Sequence, residues 1–157
     1  MSKKHVIANS TLEQLEGNNW GEVANQSHLV TECHRLRRLP LCQFTTENFR
    51  ILIGQNIGLR FLMPLAVAKL RDDPLAEGDY FPGDLLCSVL RVSPDFWAED
   101  AELRNKVETL AKQAIVLLES DQKTVMRALN EALAVFSKEF ADSNDALNAR
   151  YGRTTRR

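Results

Sequence analysis

The residues able to do chemistry in this chain are few and widely spaced. Cys33 and His34 are neighbours, and a thiol beside an imidazole is the pair that nucleophilic catalysis uses. Consecutive residues of a helix point about 100° apart, however, and Cys33 falls in the apolar stripe of Leu29, Val30 and Leu36, so it reads as a buried structural thiol. Cys33, Cys42 and Cys87 are odd in number and contain no C-x-x-C. Neither a disulfide framework nor a metal site shared with His5, His28 and His34 is expected. The carboxylate pairs Asp72-Asp73, Asp79 with Asp84, and Glu99-Asp100 have the composition for acid–base work or for holding a divalent cation. The alternating Asp-x-Asp-x-Asp-Gly of a calcium loop is nevertheless absent. Ile53-Gly54-Gln55-Asn56-Ile57-Gly58 lacks the third glycine and the lysine of a phosphate-binding loop, and reads as a helix break that lets two backbones approach closely. H-E-x-x-H, E-x-x-H and G-x-S-x-G are also missing. The expectation is a protein without catalytic residues or cofactor. A small helical enzyme using Cys33, His34 or a carboxylate pair, and an adaptor, stay as alternatives.

The same carboxylates take on a different meaning as a charge distribution. The 157 residues carry a net charge of −1, which by itself argues against non-specific binding of nucleic acid or membranes. Four arginines, Arg150, Arg153, Arg156 and Arg157, crowd the last eight residues and leave −5 on residues 1–149. Residues 72–102 hold nine acids (Asp72, Asp73, Glu77, Asp79, Asp84, Asp95, Glu99, Asp100, Glu102) against Arg91, a local charge of −8. Such a block is either a solvated face or, next to Tyr80, Phe81 and Trp97, a docking surface for a basic protein.

Length and balance, 44% hydrophobic and 26% charged, suit one domain. The elements that must position these residues read as helices. Ser10-Thr11 caps a short helix that Gly17 stops, and Ser27 caps a second one running through Arg38 to Pro40, with Leu29, Val30, Cys33 and Leu36 inward. Thr45 to Asn48 opens a third helix, with Phe49, Leu52 and Ile53 buried, and Leu59 to Asp72 is a fourth, interrupted by Pro64. Residues 74–84 read as a long ordered loop, followed by a helix to Leu90. Ser93-Pro94-Asp95 predicts a start for one helix from Phe96 to about Glu119, and Ser120-Asp121 caps a last helix with Val125, Leu129, Ala132 or Leu133, Phe136 and Phe140 inward. His5 to Ala8 is the sole short strand candidate. The fold class expected is all-α: a single-domain bundle of about six or seven helices over residues 1–141, its last two helices antiparallel, with residues 142–157 a frayed basic tail. No window is apolar enough to span a membrane and no secretory signal is visible, so a cytoplasmic protein is expected.

Several stretches resemble a known family. Leu12 to Glu16 followed by Trp20-Gly21-Glu22, then Cys33 to Leu41, then Phe49 to Leu59, Pro64-Leu65-Ala66 and Pro74 to Leu86 are similar to the immunity proteins of bacterial contact-dependent growth inhibition systems. The resemblance covers residues 12–92, and the C-terminal third shares only its helical character. Asn48-Phe49 departs from the expected acid followed by leucine, which predicts a weaker helix cap. The resemblance implies an antidote that binds, in a one-to-one complex, the toxin domain delivered by a neighbouring cell. Several toxins of such systems are nucleases, some of them with a fold like pancreatic ribonuclease. A nuclease must offer cations to phosphates, and an inhibitor can present carboxylates in their place. The toxin surface expected on these grounds is Asp72, Asp73, Glu77, Asp79, Asp84, Asp95, Glu99 and Asp100, with Tyr80 or Trp97 as anchors. Direct contact with nucleic acid is disfavoured by the sign of the charge. Alternatively, Leu75, Tyr80, Phe81 and Pro82 fold back onto the bundle as a plug and leave only the carboxylates outside.

Overall fold

The computed structural model describes residues 7–22, 26–118 and 122–151, with side chains as far as Lys138. After a helical stretch at residues 7–9, the described residues form the α-helices α1 (Leu12–Glu16), α2 (His28–Arg37), α3 (Thr46–Gly54), α4 (Leu59–Asp72), α5 (Asp84–Leu90), α6 (Pro94–Ala98), α7 (Ala101–Leu117) and α8 (Lys123–Tyr151). A single 3₁₀ turn, Leu41–Gln43, joins α2 to α3. Among the described residues there is no strand, and Ile7 and Ala8 of the strand candidate are helical, its first two residues lying outside the described ones. The all-α reading holds.

The helix starts follow the capping logic of the sequence. Thr11 Oγ1 accepts from the Gln14 N–H, while the Gln14 side chain accepts from the Thr11 N–H, so two orphan donors of α1 are satisfied together. Thr45 and Asn48 do the same for α3, Asn48 Oδ1 accepting from the Thr45 N–H at 3.1 Å. The amide of Asn48 reaches back as an acid would, so the cap is complete where the sequence suggested weakness. Between α3 and α4 Gly58 takes φ 64°, and a Cβ there would meet the Leu12 side chain at 2.8 Å. The glycine break lets α1 press its buried leucine onto this turn.

The core centres on α5, whose Leu85, Leu86, Cys87, Val89 and Leu90 are all buried. Around it pack α3, α4, α7 and α8. The last helix starts just beyond the end of α7 and brings Phe136 back to Trp97, which precedes its start, so α7 and α8 run antiparallel as expected.

Two expectations need correction. Leu29 is 42% exposed, and the inward positions of α2 are Cys33, Leu36 and Arg37. Phe96 to Leu118 is not one helix: Ser93 makes no side-chain cap, α6 ends at Ala98, and Asp100 Oδ1 accepts from the Leu103 N–H at 2.9 Å to start α7. An aspartate at the cap competes with helix continuation, and here it wins. The last helix runs past residue 142 to Tyr151, because no glycine or proline interrupts it before Gly152. Its expected cap, Ser120-Asp121, its inward Phe140 and its terminal arginines lie outside the described side chains.

Candidate functional site

The loop between α4 and α5, residues 73–83, is held from below by carboxylates. Asp84 is 3% exposed, and its two oxygens accept from the N–H groups of Gly78 at 2.7 Å and Tyr80 at 3.1 Å. Glu47, one turn into α3, accepts from the Asp79 N–H at 3.0 Å with the same Oε2 that accepts from Arg50 Nε. Arg50 closes the arrangement: its fork grips Glu47 with two bonds of 2.6 Å, and its Nε lies 3.9 Å from Asp84. Gly78 leaves room for this arrangement, since a Cβ would stand 2.5 Å from Glu47 Oε2 and 3.0 Å from Asp84 Oδ2 and one of the carboxylates would have to shift. The hydrogen bonds from Arg50, helped by the Asp79 amide, hold the Glu47 carboxyl below the usual carboxylate range against its burial. The same pair raises the arginine above its ordinary value.

The loop's side chains divide between the two readings offered by the sequence. Ala76 is buried and Leu75 and Phe81 pack against the core, as a plug would. Tyr80 is 70% exposed, with the Arg50 guanidinium 4.4 Å from its ring centroid. Glu77 and Asp79 of the same loop are exposed. Asp72 and Asp73 are exposed at the end of α4, where Asp73 also accepts from the Leu75 N–H at 3.0 Å.

The remaining acids lie elsewhere. Asp95, Glu99 and Asp100 are exposed around α6 and the start of α7. Pro64, Val67 and Arg71 of α4 line one groove with Glu102, Lys106 and Gln113 of α7, and Pro74, beyond the end of α4, lines a second with Lys112, Val116 and Leu117, so the end of α4 lies toward the end of α7. At 1.5 Å per residue, the acids at the two ends of α7 are about 20 Å apart. The segment that is continuous in sequence is therefore two acidic regions in space. Two of the expected contact residues are not on the surface at all. Asp84 is spent on the loop backbone, and Trp97, 1% exposed, is stacked edge-on between Phe96 and Phe136. The apolar spacing that sets Trp97 on one face with Phe96 is a better guide to its place than the acids beside it. Arg50 and Glu47 were missed because their i, i+3 pairing is visible in sequence while the loop they reach, some thirty residues on, is not.

The potential nucleophiles do not converge. Burial pushes the thiols of Cys33 and Cys87 up, that of Cys87 to about 11, so neither is a thiolate at neutral pH. His34 instead meets the edge of Trp20, ring centroids 5.1 Å apart. Among the described residues no group of three or more histidines, cysteines and acids is placed to hold a metal ion, and no helix is long and apolar enough to cross a membrane.

The architecture is thus a helical scaffold presenting an ordered loop, with carboxylates used as loop anchors. No curated protein matches the chain significantly. A family described as CDI immunity proteins matches residues 14–107, from α1 into α7, which takes in the loop, both of its anchoring helices and all of the acidic block. With well over half of its length matched, the chain belongs to the CDI immunity proteins, a family whose role is to neutralise toxins.

Proposed function

We propose that this chain acts in the cytoplasm as a one-to-one inhibitor of a contact-dependent growth inhibition toxin domain, and that this toxin is a basic nuclease. The observation that carries the reading is the exposure of Glu77, Asp79 and Tyr80 on a loop whose Leu75, Ala76 and Phe81 pack into the fold and whose backbone is held by Glu47 and Asp84. Asp72 and Asp73 extend the same acidic region. Carboxylates there stand where phosphates would, and occupy the cations of a nuclease without offering it a bond to cleave. Asp95, Glu99 and Asp100 form the second acidic region and contribute to steering rather than to contact. Co-expression of the toxin domain encoded beside this protein tests the reading. Growth arrest relieved only when both are present, with a stable one-to-one complex, supports it; the absence of any complex returns the question to an enzyme or adaptor.

A further inference from the structure

We propose that Arg50 is a positioning residue that holds Tyr80 and the backbone of residues 78–80 in the geometry the toxin binds, so that the docking loop is prearranged in the free protein. The inference rests on the reading above and adds a role for residues that do not themselves face the partner.

Three observations combine. The N–H groups of Gly78, Asp79 and Tyr80 are consecutive, and all three donate to carboxylates that belong to helices and not to the loop. Both carboxylates answer to one cation: Arg50 is bonded twice to Glu47 and lies within ion-pair distance of Asp84. The same guanidinium covers one face of the Tyr80 ring, leaving a side chain that is 70% exposed yet supported from beneath. An exposed tyrosine otherwise loses rotamer freedom when it is bound, and a loop without anchors loses backbone freedom as well. Here both are already restricted. With one ring face taken by Arg50, the partner receives the other face, on a loop that also exposes Glu77 and Asp79. That combination fits a toxin surface that brings cationic groups to the acids and a flat or apolar side chain to the ring.

Lysine at position 50 separates geometry from charge, because it keeps the positive charge but cannot grip Glu47 with a fork while lying flat on a ring. Amide hydrogen exchange on free Arg50→Lys should quicken at Gly78, Asp79 and Tyr80, with helix content unchanged. Its Kd for the toxin domain should rise about 3- to 10-fold, and adding Arg50→Lys to Tyr80→Ala should weaken binding by a smaller factor than it does in the wild type. Full additivity of the two substitutions, or wild-type binding by Arg50→Lys while Tyr80→Ala is impaired, overturns the positioning role. If Glu77→Lys/Asp79→Lys alone weakens binding, only this inference falls; if that variant also binds normally, the loop is not the docking surface and the underlying reading falls with it.

Discussion

Arg37 shows what a single residue does in this fold that its type does not announce. It is 1% exposed, donates to Glu16 and to the Asn18 carbonyl at 2.7 Å, and lies 3.9 Å from the centroid of the Trp20 ring. Glu16 reaches solvent, so Arg37→Met strands no buried charge; it removes the donor of the Asn18 carbonyl and should cost about 1–3 kcal/mol, measured by chemical denaturation. Glu47 makes a pH prediction. Its folded pKa is depressed, so the stability it lends is present above the ordinary carboxylate value and is lost as pH falls through the lower folded one. Melting temperature should therefore fall more steeply with acidification in the wild type than in Glu47→Gln, below the ordinary carboxylate range. The sequence showed Arg37 in a run of basic residues and Glu47 as an early-turn acid. Which cation turns inward, and which acid reaches across to a loop, depends on how the helices pack, and that is not written in local spacing.

At the scale of elements, capping residues decide where helices begin, and their prediction succeeds or fails with the competition among neighbours. Thr11, Ser27 and Thr45 cap as their sequence contexts suggest. Ser93 does not, because Pro94 alone starts α6 and Asp100 starts a second helix seven residues later. Asp100→Ala should therefore cost about 1 kcal/mol, whereas Ser93→Ala should stay within about 0.5 kcal/mol of wild type, both read from denaturant midpoints. Trp97 belongs to this scale too: it locks α6 between α7 and α8, and Trp97→Ala should cost about 3–5 kcal/mol by the same measurement. The apolar period marked Phe96 and Trp97 together as one face, and only the break at Glu99-Asp100 explains why Trp97 is the more deeply buried.

For the molecule as a whole, the helical class was legible from period and punctuation, but the site was legible only in part. A charge of −8 over residues 72–102 singled out the segment that carries the proposed docking loop. Folding then withdrew Asp84, set Arg50 beneath the loop, and sent Asp95, Glu99 and Asp100 to the far end of α7. The parts that survive, Glu77, Asp79 and Tyr80, are those that local backbone anchoring turns outward. The association rate of the cognate toxin domain with Glu77→Lys/Asp79→Lys tests this most directly. Asp84 is left intact so that the loop still folds, and Asp95→Lys/Glu99→Lys serves as a control of equal charge. The loop variant should associate at least about tenfold more slowly at low salt, with the difference shrinking as salt rises, while the control changes less. Equal rates for wild type and loop variant, with growth protection intact, would contradict the account.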